Sequence, residues 1–303
     1  MPSASAYRVA EFFARHAPSP VARAAALAGG VGVSIASRDR RLLVRRNLER
    51  ALGRPMGRRE ASVRVTATFD WYARYYLESF QLPGLDASTI DAGFGYEGVD
   101  TIERSVRSGV GPILVMPHLG TWEWAAWWLA LVPRMKVTAV VEPLEPPEVF
   151  EWFTSFRQRL GMDIIPVGPD AGGRLVAAIK RGDVVCLLAD RDVTGTGVAV
   201  EFFGERTRLP AGPAVLALRT GAPLIPAAVY WRGRTRHAIA GPPVDTRRSG
   251  GIRSDTFRVV QEYAAALEGL IRVAPEQWHL MSPNWPSDYE ALGLPVPDWL
   301  RDI

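Results

Sequence analysis

The 303-residue chain holds one cysteine, Cys186, and four histidines, and only Lys136 and Lys180 among its 36 basic residues are lysine. A single cysteine excludes a disulfide framework and any Cys-rich zinc site, and fits a reducing compartment. Four histidines far apart in sequence leave little for an all-protein transition-metal site. There is no G-x-x-x-x-G-K-[ST], so no P-loop. Gly29-Gly-Val-Gly32 does not continue as G-x-G-x-x-G, and neither H-E-x-x-H nor a G-x-S-x-G nucleophile elbow occurs. Long apolar runs are also lacking. The longest uncharged stretch near the start, Ala24 to Ser37, is shorter than the ~20 residues of a membrane span and contains Gly29, Gly30 and Gly32. Arg8, Glu11, Arg15 and His16 interrupt any secretory h-region. The expected location is therefore the cytoplasm or the inner face of a membrane.

What is present describes a globular chain with a large core, 48% hydrophobic and 22% charged. Its 28 glycines and 24 prolines fall below the share that marks disorder. The net charge is +4, and it is concentrated early. Between Arg38 and Arg64 stand ten arginines against Asp39, Glu49 and Glu60, a local excess of seven positive charges. Such a stretch is either a solvated helix face or a site for an anionic partner: nucleic acid, a phosphate-bearing cofactor, or an anionic membrane surface.

The first ~85 residues read as amphipathic helices with bulky apolar faces, among them Phe12, Phe13, Leu48, Phe69, Tyr72, Tyr75 and Tyr76. These faces suit core packing or the membrane interface. After Pro83 the pattern alternates. Apolar runs at 112–116, 136–141, 163–167 and 183–189 predict strands, with helices predicted at 121–132, 147–160 and 172–181 between them. Gly161 is the expected left-handed residue after the second of these helices. Further strands are expected at 197–203, 223–230 and 236–240, and a long helix at 254–273. This spacing predicts an α/β fold: a central, mostly parallel sheet flanked by helices, with a helical N-terminal cap over 1–85 and a catalytic core over 86–303, in one domain.

Such sheets place their sites beyond the carboxyl ends of strands. His118 follows the run Ile113 to Met116 directly, with Glu123 five residues on. Five residues within a helix separate two side chains by roughly 140°, so the pair converges only if His118 precedes the helix. Asp190-Arg191-Asp192 follows the fourth run in the same way. Cys186, inside Val-Val-Cys-Leu-Leu, reads as a core residue. Trp122, Trp124, Trp127 and Trp128 read as core, or as the lining of an apolar tunnel that ends at His118.

These segments, with Phe202-Phe203-Gly204-Glu205-Arg206-Thr207-Arg208-Leu209-Pro210, Thr220-Gly221-Ala222-Pro223, Pro275-Glu276-Gln277-Trp278-His279 and Arg45-Arg46-Asn47-Leu48, resemble the bacterial lipid A biosynthesis acyltransferase family over nearly the whole chain. Within it they are most similar to the actinobacterial branch that acts on phosphatidylinositol mannosides. The resemblance implies one-step transfer of a long acyl chain, palmitoyl, from acyl-CoA to a sugar hydroxyl. His118 would be the general base, with no acyl-enzyme and no cofactor beyond the acyl-CoA donor. It also implies a peripheral enzyme on the cytoplasmic face of the cell membrane, meeting an anionic membrane surface and a membrane glycolipid, and not nucleic acid. Either Glu123 or Asp190 would orient His118. Glu142, Arg157 and Arg191 would hold acceptor hydroxyls or lipid phosphate, and Arg206 and Arg208 would anchor phosphates of CoA or lipid. Asp192 would pair with an arginine, and Trp278 and Trp285 would pack. A lipid A-type lauroyl or myristoyl transferase, or another glycolipid or glycerolipid acyltransferase, is the alternative within the class; outside it the alternatives are a nucleic-acid-binding protein using the Arg38 to Arg64 patch and a lipid-binding protein that has lost activity.

Overall fold

Four long helices open the chain: α1 (Ala4–His16), α2 (Ser19–Ala36), α3 (Arg38–Leu52) and α4 (Arg58–Gln81). Each boundary has a local cause. The Ser3 hydroxyl accepts from the Ala6 N–H at the start of α1, Pro18 and Pro20 separate α1 from α2, and Gly53 closes α3 in the left-handed region. The computed structural model describes residues 3–143, 145–301 and 303.

The chain then runs through α5 (Ala87–Ala92), β1 (Phe94–Glu97), α6 (Val99–Arg107), β2 (Ile113–Met116), α7 (Trp122–Leu131), β3 (Val137–Val141), α8 (Pro147–Arg159) and β4 (Met162–Pro166). After these come α9 (Ala171–Lys180), β5 (Val184–Leu188), a hairpin of β6 (Val198–Phe202) and β7 (Glu205–Leu209), α10 (Gly212–Thr220), β8 (Leu224–Arg232) and β9 (Thr235–Ala240). The chain closes with α11 (Ile252–Val273), α12 (Pro286–Ala291) and α13 (Asp298–Arg301). The expected strands and helices are present, and Gly161 has the positive φ expected of it. Two strands escaped the sequence reading, β1 and β7. Neither is an apolar run: β1 is Phe-Gly-Tyr-Glu at a sheet edge, and β7 is Glu-Arg-Thr-Arg-Leu with only alternate residues buried.

Seven strands form one sheet in the order β1-β9-β8-β2-β5-β3-β4. From β8 to β4 all neighbours are parallel, and β9 runs antiparallel to β8. The central strands are covered on both faces, which is why β2 and β5 are unbroken apolar runs. Successive side chains supply opposite cores. Ile113, Val115, Val185 and Leu187 pack under α9, α10 and α11, while Leu114, Met116 and Cys186 face α7, α8 and the end of α4. A third, smaller core joins α3 to α4 through Val44, Leu48, Val65 and Phe69.

The span expectation needs correction. α2 is a continuous 18-residue helix of mean hydropathy 1.3, long and apolar enough by length and composition to cross a membrane, and only 17% of it is buried. Counting uncharged residues stopped at Arg23, whereas the helix continues through it.

Candidate active site

β2 and β5 are parallel neighbours, so the residues after them emerge side by side at one edge of the sheet. His118 follows β2 and Asp190 follows β5. The His118 Nδ1–H donates to Asp190 Oδ1 over 2.5 Å, and the His118 backbone N–H donates to Oδ2 over 3.0 Å. Asp190 is fully buried, whereas the His118 side chain is 31% exposed. The sequence left two acids open for this contact; the structure brings Asp190, not Glu123, to the imidazole. The loop is rigid for a steric reason. Gly120 has φ +63°, and a Cβ there would lie 1.6 Å from the Val229 carbonyl oxygen.

Burial pushes the Asp190 carboxyl up. The charge of His118 and hydrogen bonds from His118 and Trp278 outweigh burial and hold the carboxyl below the ordinary range. The result is a fixed acceptor for Nδ1–H, which leaves Nε2 as the nitrogen available to a substrate.

Glu123 lies in the first turn of α7 and belongs to a second cluster. Its Oε1 accepts from Tyr75 over 2.5 Å and from Arg157 over 3.1 Å. Burial pushes the Glu123 carboxyl above its usual range against the pull of Arg157. Burial also works against the Arg157 charge, but Glu123 and Tyr75 raise its pKa above the usual value. Arg157 is therefore no exposed helix charge: it stacks on Trp122 and is held by a buried ion pair.

Both clusters open on one cavity of about 1340 Å³. Its polar end carries His118, Arg157, Glu142, Arg191 and His279, and its apolar end runs between α1, α2 and α4 past Ala22, Gly29, Phe69, Tyr76 and Phe80. A polar end with an imidazole and a long apolar end suits a reactant with a polar head and an aliphatic tail.

Residues 4–287 match the profile of the bacterial lipid A biosynthesis acyltransferase family. The chain belongs to that family. Proteins described as phosphatidylinositol mannoside acyltransferase in Mycobacterium tuberculosis and in Mycolicibacterium smegmatis are each 34% identical to it, over 255 and 251 residues. The matches cover 81% of this chain and 77% and 79% of theirs.

The other expected site residues of this acyltransferase divide into two groups. Glu142 and Arg191 pair at 2.6 Å on the cavity wall. Arg206 and Arg208 lie outside the cavity lining on β7. Arg206 points from an exposed hairpin position, and Arg208 is committed to the carbonyls of Gly197 and Trp299. Neither borders the cavity that carries His118. Asp192 pairs with no arginine among the described residues; it caps its own loop through the N–H groups of Thr194 and Gly197. Of the four tryptophans on α7 only Trp122 borders the cavity. Trp124 packs under the Arg236 guanidinium, and Trp128 packs on Phe94 and Tyr96. Cys186 is buried and its thiol is pushed up to about 12, the state of a packing residue.

Three residues of the site were not expected to take part in it, Trp278 having been expected only to pack. The Trp278 indole donates to Asp190 Oδ2 over 2.7 Å, so it does more than pack. Tyr75 binds Glu123. His279 packs at a tilt against Tyr72 and Tyr75 with its Nε2 unpartnered among the described residues, and burial pushes its imidazole down to about 3. The one available signal was the dipeptide Trp278-His279 within the quoted motif.

Proposed function

We propose that this acyltransferase moves a long acyl chain, palmitoyl, from acyl-CoA to a sugar hydroxyl of a phosphatidylinositol mannoside, with His118 as general base. The supporting observation is the His118–Asp190 pair at the head of a cavity whose other end is apolar. His118 Nε2 takes the hydroxyl proton. The oxygen attacks the thioester carbonyl carbon, the carbon–sulfur bond breaks, and the imidazolium returns its proton to the leaving CoA thiolate. Asp190 holds the tautomer and stabilises the imidazolium. A thioester is already activated, so an imidazole suffices and no nucleophilic serine or cysteine is required.

The acyl chain lies in the apolar end, and Glu142, Arg157 and Arg191 meet the sugar and phosphate of the acceptor. The enzyme works from the cytoplasmic face of the membrane, peripherally. Val9, Phe12 and Ile35 on α1 and α2 are 69%, 66% and 73% exposed, and Arg38, Arg40, Arg58 and Arg59 of the N-terminal helices are exposed as well. Gly30 of α2 lies so close to α4 that a Cβ would come within 3.0 Å of the Phe69 carbonyl oxygen, which favours α2 lying along the protein over crossing the bilayer.

The test is incubation with palmitoyl-CoA and liposomes carrying phosphatidylinositol mannosides, following free CoA and intact lipid mass. A mannoside heavier by one palmitoyl group is expected, with His118→Ala lowering turnover by ~10²–10⁴. CoA release without a heavier lipid would reject the acceptor, and unchanged turnover in His118→Ala would reject the base.

A further inference from the structure

The segment 277–279 is built against the catalytic loop as a short antiparallel partner. Leu119 and Trp278 form a bridge, the Gly120 N–H donates to the Gln277 carbonyl over 2.9 Å, and the His279 N–H donates to the His118 carbonyl over 2.7 Å. The Gln277 side chain exchanges hydrogen bonds with the Trp231 backbone at the end of β8, so the segment is tied to the sheet as well. Position 278 is thereby held at a set distance from His118 by main-chain bonds. Its indole reaches across the loop to the far oxygen of Asp190.

The Asp190 carboxylate is constrained on every side. Oδ1 takes the His118 ring, Oδ2 takes the His118 main chain and the Trp278 indole, and the Asp190 carbonyl accepts from Asn284 Nδ2 over 3.0 Å. Trp278 is 3% exposed, wedged between Phe202, Phe203 and Trp285. An indole N–H aimed at a carboxylate from inside an apolar wedge gives that carboxylate one rotamer. Without the N–H, Oδ2 keeps a single donor and the carboxylate can turn its Oδ1 away from the imidazole.

On the reading that His118 is the base of acyl transfer, we propose that Trp278 is a positioning residue: its indole N–H fixes the Asp190 carboxylate so that Oδ1 faces the His118 imidazole. Trp278 touches no reacting atom. Its mount is the C-terminal stretch through Asp288, a fully buried carboxylate that pairs with Arg46 at 2.7 Å and Arg50 at 2.8 Å from α3. The N-terminal helices thus brace the residue that braces the catalytic acid.

The experiment replaces Trp278 in the full-length chain with benzothienylalanine, which keeps the ring shape and removes only the N–H, alongside Trp278→Phe. Trp285→Phe serves as the matched control. Trp285 is equally buried, and its indole donates to the Phe202 carbonyl rather than to Asp190. The expected result for the isostere is a kcat lower by about 10- to 100-fold, the worth of a hydrogen bond to a charged group, with KM for palmitoyl-CoA unchanged.

The pH profile separates this role from packing. Trp278 is one of the donors that keep Asp190 ionised, so its loss makes the carboxyl more basic and moves the acid limb of kcat/KM to higher pH. The other titratable groups facing Asp190 are His118, His279, and Tyr263 from α11, and all are retained in the variant. Trp285→Phe is expected to lower Tm and leave kcat and the acid limb in place. Wild-type kcat and an unmoved acid limb in the isostere would overturn the proposal. A wild-type protein with no His118-dependent transfer would overturn the underlying function instead.

Discussion

At the residue scale, the two acids of the sequence motif do different work, and substitution separates them. Asp190→Asn keeps the shape of a buried side chain but removes the charge that faces the imidazole. Its turnover is expected to approach that of His118→Ala, with a Tm close to wild type. Glu123→Gln leaves Arg157 as a buried cation without its counter-charge, which costs about 3–5 kcal/mol, so a large fall in Tm is expected. Equal Tm values for the two variants would contradict the division. His279 carries a pH signature of its own. Folded, its imidazole stays neutral down to about 3, whereas unfolded histidine takes a proton at about 6.5. Between those values the unfolded chain binds a proton that the folded chain does not, so stability falls as pH drops through that window. Urea denaturation across the window is expected to show that slope, flattened in His279→Gln.

At the scale of elements, the α2–α4 contact decides whether the apolar end of the cavity exists. Two neighbouring glycines of α2 behave oppositely. A side chain at Gly29 meets nothing within 4 Å, whereas at Gly30 it meets the Phe69 carbonyl at 3.0 Å and Ala73 at 3.1 Å. Gly30→Leu therefore forces the helices apart, at ~1–3 kcal/mol, while Gly29→Leu is expected to leave Tm near wild type. Differential scanning calorimetry of the pair checks this. The same packing explains how a helix as apolar as α2 stays on the protein: it offers small residues to α4 and leaves its larger ones, Val21, Val31 and Ile35, outside.

At the scale of the whole molecule, nine of the ten arginines in the rich stretch fall into two populations, and the tenth, Arg41, donates to the Ser34 hydroxyl. Arg45, Arg46, Arg50, Arg54 and Arg64 are engaged by carboxylates, several from distant parts of the chain: Glu205, Glu276 and Asp288. Arg50 also stacks on Trp285. Arg38, Arg40, Arg58 and Arg59 remain exposed. Charge reversal separates them. Arg58→Glu with Arg59→Glu is expected to weaken binding to anionic liposomes, most strongly at low salt, and to leave Tm unchanged. Arg50→Glu is expected to lower Tm sharply, because it sets three carboxylate-bearing side chains together at Trp285. Liposome flotation and thermal melts on both variants test the division.

The amino-acid sequence by itself determined the layers and the address of the site. Unbroken apolar runs such as Ile113–Met116 and Val184–Leu188 are legible because a strand buried on both faces has no polar alternation to hide it. His118 and Asp190 are legible because each follows such a run directly. The tertiary structure alone decided which acid meets the imidazole, since that depends on β2 and β5 being neighbours although 72 residues separate His118 from Asp190. It alone showed Arg208 donating to the carbonyls of Gly197 and Trp299. It alone turned Trp278 from a packing residue into a donor. Sequence spacing reports the faces of a single element; contacts between elements depend on strand order and on where loops return, and no local periodicity encodes those.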